Sequence, residues 1–122
     1  PVSTPEAKAW ETAQPYESML LSLNNQAMKS ALPDGYTPVK PDASGIAVPA
    51  RLQAVAEQAW TGHALRIDRI RITNPHSYGV TLREQDFWKP GVRSVMFDSQ
   101  ASALMAGATL RVFIIRDAGG QS

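Results

Sequence analysis

Chemistry needs a few reactive side chains brought together, and this 122-residue sequence offers little of that kind. Its two histidines, His63 and His76, each neighbour a turn signal, and neither has a His, Asp or Glu at ligand spacing. A zinc site needs about four convergent ligands. Serines are present, but none lies in a G-x-S-x-G elbow. Glu84 and Asp86 flank Gln85 on what reads as one strand face. Ion pairing with Arg83, Arg93 or a neighbouring strand accounts for both carboxylates without a catalytic pair. There is no Gly-rich phosphate loop. The cysteine count is zero, which excludes disulfides, Cys-based zinc sites and thiol nucleophiles. The expectation is a non-enzyme with no cofactor and no metal.

The unusual stretch is EQDFWKPGVRSVMFD, Glu84 to Asp98, where Phe87 and Trp88 run straight into the turn Lys89-Pro90-Gly91. Successive strand residues point to opposite faces, so a core position suits one aromatic but not both. One reading makes both of them core or cap. The other puts Phe87 in the core and leaves Trp88 outside with Pro90 and Arg93, the composition of an interface hot spot. Trp60 and Trp10 raise the same question more weakly. Arg66, Arg69, Arg71 and Arg83 have no aromatic partner in phase, so direct nucleic-acid binding is not expected.

The elements that position these residues follow from periodicity. Residues 1–15, with Pro1, Pro5 and Pro15, read as a linker with at most a helical turn after Thr4. Residues 16–32 read as an amphipathic helix, with Tyr16, Met19, Leu20, Leu23, Ala27 and Ala31 on one face. Pro33 and Gly35 stop it. Residues 33–50 form a Pro-rich extended connector. From Arg51 the period changes to two. Leu52, Ala54, Ala56 and Trp60 share a parity. Leu65 and Ile67 are out of phase with Ile70 and Ile72, which predicts a bulge near Asp68-Arg69. Val80 to Glu84 alternates, and Val92 to Phe97 places Val95 and Phe97 opposite Val92, Ser94 and Met96. Gln100 to Gly107 crosses over. Thr109 to Arg116 puts Leu110, Val112 and Ile114 on one face and Phe113 and Ile115 on the other, both covered. Residues 118–122 read as a disordered tail.

Short strands joined by turns, without intervening helices, describe a mainly β fold. The expected form is an immunoglobulin-like antiparallel β-sandwich over residues 51–117, preceded by one amphipathic helix and the connector. Net charge is +1, so no global field draws the chain to nucleic acid or membrane. The charge is uneven: residues 1–48 carry three bases and five acids, and residues 49–122 carry nine bases, eight of them Arg, and six acids. Arginine makes planar two-pronged contacts and tolerates partial burial better than lysine, which suits salt bridges or a protein interface. No apolar run approaches the ~20 residues of a membrane span. The chain begins at Pro1 without an initiator Met, which fits a piece of an exported precursor.

Several of these blocks resemble the C-terminal part of the TraK family, secretin-like outer-membrane core proteins of F-type conjugative type IV secretion systems. The resemblance rests on AWTGHAL (Ala59 to Leu65), a strand ending at Thr73-Asn74, and L-x-E-x-x-F-W (Leu82 to Trp88). It continues through P-G-V-R-x-V (Pro90 to Val95) and L-x-x-G-A-T-x-R-V (Leu104 to Val112). Upstream, YESMLLSLNNQAMKSALPDGY resembles the helix and turn before that β domain. The resemblance implies a structural role at the periplasm and outer membrane of a Gram-negative bacterium, in a channel for DNA transfer and pilus passage. It implies a homo-oligomeric ring with a TraV-like lipoprotein and a TraB-like scaffold protein, membrane association through those partners, and a further N-terminal β domain. It brings no catalytic residues. The interface candidates are then Phe87, Trp88, Pro90, Arg93 and Arg83 on the β domain, and Tyr16, Leu20 and Leu23 on the helix. The rival expectation is a monomeric periplasmic or extracellular β-sandwich, adhesin- or chaperone-like, that grips a peptide or a glycan.

Overall fold

The computed structural model describes residues 5–118. Two helices, α1 (Pro5–Thr12) and α2 (Tyr16–Met28), precede the strands β1 (Thr37–Val39), β2 (Gln53–Thr61), β3 (Leu65–Thr73), β4 (Val80–Thr81), β5 (Val92–Phe97), β6 (Ala103–Leu104) and β7 (Thr109–Asp117). Single 3₁₀ turns lie at Ala43–Gly45 and Glu84–Phe87. The fold is mainly β, as its periodicity implies. Its main layer is a five-stranded sheet in the order β1-β2-β3-β7-β5, with every paired neighbour antiparallel, and β4 and β6 form a second, two-stranded sheet.

β3 and β7 explain why one sheet needs two cores. They pair without interruption from Leu65 opposite Asp117 to Thr73 opposite Thr109. Side chains alternate between faces, so odd and even residues of both strands separate. Ile70, Ile72, Val112 and Ile114 join the core under the small sheet, with Val80, Leu82, Phe87, Val95 and Leu104. Leu65, Ile67, Phe113 and Ile115 meet Met19, Leu23 and Ala27 of α2 and Ala7 of α1. The phase change in β3 therefore needs no bulge, since both faces are buried. The bulge lies instead on the partner strand, between Ala56 and Gln58 of β2, opposite Ile70 and Arg69. It flips the rest of β2, so Trp60 faces the helices while Ala54 and Ala56 pack on the other core, not on one face with it. A second bulge at Arg93 of β5 brings Val92 onto the face of Val95 and Phe97, contrary to simple alternation, and leaves Ser94 on the helix side.

The N-terminal third also departs from expectation. The stretch expected as a linker contains α1, opened by Pro5 at a position where its missing N–H costs nothing. Helix α2 ends at Met28, before Pro33. Ser30 takes a left-handed φ of 56° and the Ala31 N–H donates to the Gln26 carbonyl at 2.9 Å, so the chain turns before the proline. The connector contains β1 and one 3₁₀ turn. The expected tail lies, from residue 119 on, outside the described residues.

The helices are tied to their own sheet by polar contacts as well as by packing. The buried Glu11 carboxylate accepts hydrogen bonds from the Tyr36 hydroxyl at 2.5 Å and from the backbone N–H groups of His63 at 3.0 Å and Ala64 at 2.9 Å. It thereby caps the β2–β3 turn. Only glycine fits at position 62, where a Cβ would come within 2.4 Å of the Tyr36 ring and 2.7 Å of Glu11. Burial, and then the Glu11 carboxylate, push the Tyr36 phenol well above the ordinary tyrosine range. On α2, the buried Asn24 donates through Nδ2 to Ser94 Oγ at 2.8 Å, joining the helix to β5.

Candidate functional site

The two adjacent aromatics part company. The 3₁₀ turn at Glu84–Phe87 rotates the chain so that Phe87 drops into the core, 1% exposed, edge-to-face with Phe97 at 5.8 Å. Trp88 follows in extended conformation and is 44% exposed. A tight turn closes behind it, where the Val92 N–H donates to the Lys89 carbonyl at 3.0 Å. Gly91 in this turn has φ of 97°, which favours glycine over any residue with a Cβ. Trp88 thus stands at the entry to β5, an outer strand of the main sheet. Edge strands present unpaired backbone groups that a further strand can join.

The bulge in β5 aims Arg93 outward into this region. Its Nε and Nη2 donate to the two carboxylate oxygens of Asp117 at 2.8 and 3.3 Å. The Asp117 N–H in turn donates to the Gly91 carbonyl at 2.8 Å, tying β7 to the turn. The Asp117 carboxylate, and secondarily Tyr16, raise the Arg93 pKa further. Tyr16, 51% exposed at the start of α2, therefore shares this edge of the molecule with Arg93. Pro90 is exposed within the turn.

The other residues singled out from sequence are placed differently. Leu23, wholly buried, packs under the sheet with Ala27 and Met19, and Phe87 is equally enclosed; neither can meet a partner in this fold, and both hold the surface in place. Leu20 is half-buried against the helix-side core. Apart from Tyr16, the large apolar side chain that α2 exposes is instead Leu21. Arg83 is exposed before the 3₁₀ turn, in a shallow concavity shared with Arg51, Tyr78 and Asp86. Trp60 is buried, and Trp10 lies edge-on to Tyr36.

Neither histidine assembles a reactive cluster. The His63 N–H serves Glu11, whereas the His76 ring stacks on Tyr78 at 4.8 Å and its Nε2 meets the Arg51 carbonyl at 3.0 Å. Among the described residues, no group of three or more His, Asp or Glu is placed to hold a metal ion. No described helix is long and apolar enough to cross a membrane. An indole at the mouth of the turn, a guanidinium on β5 held by Asp117 and a phenol at the start of α2 thus lie exposed near an edge strand.

Sequence reasoning missed two carboxylates. Asp68 is wholly buried and accepts from Arg66 Nε at 3.0 Å and Arg116 Nε at 2.7 Å. Glu57 accepts from Arg69, Arg71 and Arg111. The charge imbalance of residues 49–122 was visible, but its partition depends on which face each strand residue takes, and the β2 bulge sets that.

Known proteins bear on this geometry. A family model described as the TraK C-terminal domain matches residues 7–116. The TraK lipoprotein of Escherichia coli (strain K12) is 42% identical over 115 residues, covering 94% of this chain and 48% of the relative. The chain thus spans about half the length of the curated relative that it matches.

Proposed function

The chain belongs to the TraK family, and from that premise we propose that it is a structural component of a conjugative, F-type type IV secretion system. In this reading it acts by binding and performs no chemistry. Copies assemble into a ring of the outer-membrane core complex with a TraV-like lipoprotein and a TraB-like scaffold protein, and the ring serves DNA transfer and pilus passage. The chain works in the cell envelope, on the periplasmic side of the outer membrane. The E. coli relative is named a lipoprotein. None of these 122 residues is a cysteine that a thioether-linked lipid would need.

The observation that carries the binding role is the exposed Trp88 on a fixed turn beside the edge strand β5, with Arg93 clamped to Asp117. Exposing an indole costs solvation, and holding it rigid lowers the entropy lost on binding. The β domain receives the lipoprotein partner at this edge, by main-chain pairing with β5 and contact with Trp88. Trp88→Ala should leave the thermal midpoint of the chain unchanged and weaken capture of the soluble segment of a TraV-like lipoprotein by roughly tenfold or more. A folded Trp88→Ala chain that captures the segment as well as the wild type would refute this docking mode.

A further inference from the structure

The sheet face beneath the helices is covered along only half its length. Leu65 and Ile67 of β3 and Phe113 and Ile115 of β7 lie under α1 and α2. The unbroken register of these strands carries the same face onward to Arg69, Arg71 and Arg111. Val55 of β2 stands opposite Arg71 and is 49% exposed.

Two features of this open half are unlike a passive polar surface. Arg71 and Arg111 face each other directly on neighbouring strands, and like charges so placed destabilise a sheet. Glu57, at the β2 bulge, offsets the repulsion: its Oε1 accepts from Arg69 Nε at 3.2 Å and Arg111 Nε at 2.7 Å, and its Oε2 from Arg71 Nη1 at 3.2 Å. One carboxylate is thus shared among three guanidiniums, each giving it a single N–H.

Among the described residues, the other ion-paired arginines give more N–H groups to fixed partners. Arg93 gives Asp117 two N–H groups. Arg66 and Arg116 each serve Asp68 and a backbone carbonyl, of Lys40 and Asp42 respectively. A guanidinium holds five N–H donors in a planar fork. On the open half the side chains of Arg71 and Arg111 are 44% and 47% exposed, with the rest of their donors available. Asp98 is the second acid nearby, its Oδ1 accepting the Arg111 backbone N–H at 3.3 Å. Three arginines against these two acids leave the patch positive.

We propose that this open half-face docks an acidic segment of a partner protein, whose carboxylates take the free donors of Arg71 and Arg111 while an apolar side chain lies on Val55. Charge complementarity selects the acid. Among the described residues the half-face carries no exposed aromatic side chain, Phe113 opposite Arg69 being buried, and a nucleic-acid strand would stack its bases as well as pair its phosphates. This surface is separate from the Trp88 edge, and the inference goes beyond the assembly reading and stands without it.

The test titrates the whole chain with a peptide of roughly nine residues alternating Asp and Val, long enough to cross the sheet. Its Lys–Val counterpart and oligothymidine serve as comparisons, and binding is read from backbone amide shifts. The Asp peptide should bind saturably, with shifts centred on Val55, Arg71 and Arg111. The double variant Arg71→Thr/Arg111→Thr should weaken that binding by about tenfold or more, with a thermal midpoint changed only modestly because the like-charge pair and two of the ion pairs to Glu57 are lost together. Arg71→Lys/Arg111→Lys, which keeps the charge and loses the fork, should also bind more weakly and covers the case of a misfolded Thr variant. Equal affinity for the Lys peptide, or shifts centred elsewhere, would overturn the proposal. So would tighter binding of oligothymidine, which would make this a phosphate site. Self-association through this face without affinity for the peptide would overturn it in favour of a second copy.

Discussion

Asp68 and Glu57 are both acids held by arginines of β3 and β7, on opposite faces of one sheet. Asp68 is wholly buried, and each of its two arginines spends a second N–H on a connector carbonyl. That cluster fastens residues 40–42 to the sheet, and Gly45 gives the Arg116 guanidinium room that a Cβ, 1.8 Å from Nη1, would take. Glu57, on β2, ties its strand to β3 and β7 through three arginines that have donors to spare, and among the described residues its contacts reach no loop or connector. The two clusters are alike in sequence composition and differ in burial and saturation. A saturated, buried cluster is a structural joint, whereas an open one with surplus donors is a surface prepared for something else.

Substitutions should separate the two. The largest effect belongs to Asp68→Asn, which strands two largely buried guanidiniums without a counter-charge. It should lower the unfolding free energy by about 3 kcal/mol, measured by urea denaturation; a loss below about 1 kcal/mol would reduce the joint to an ordinary surface pair. Glu57→Gln should cost less, about 1 kcal/mol, because its arginines are partly exposed and water screens them. A cost equal to that of Asp68→Asn would erase the distinction. The smallest effect is a pH dependence. The hydrogen bond from Arg111, then the charges of Arg111, Arg69 and Arg71, hold Glu57 below the usual carboxylate range. Its contribution is complete above the ordinary glutamate pKa and is lost as pH falls through the depressed value. The urea midpoint of the wild type should therefore fall more steeply on acidification than that of Glu57→Gln, and parallel curves would contradict the assignment.

Much of the fold was legible because hydrophobic alternation reports burial. TLRVFIIR declared a strand covered on both faces, and Leu23 and Ala27 declared the buried stripe of α2. Bulges were less legible. The phase conflict of Leu65 and Ile67 with Ile70 and Ile72 pointed to a bulge in β3, but the irregularity sits on β2 directly across from it. A sequence pattern gives the conflict and not the strand that yields. α1 was hidden because its stripe is narrow and its decisive contact is polar, a Glu11 carboxylate meeting a turn some fifty residues away. The separation of Phe87 from Trp88 was readable in principle from strand alternation, although a 3₁₀ turn carries it out. The open arginine face was not readable at all, because it depends on how far the helices reach along the sheet.

The measurement that most directly tests assembly as this chain's purpose is its mass in solution by light scattering, across concentration, alone and with the soluble segment of a TraV-like lipoprotein. The account predicts an equimolar or larger complex with the segment, formed by the wild type at concentrations where binding through a fixed indole and an edge strand is productive. A monomer at every concentration, indifferent to the segment, would contradict it and redirect attention to a solitary module that grips a peptide or a glycan.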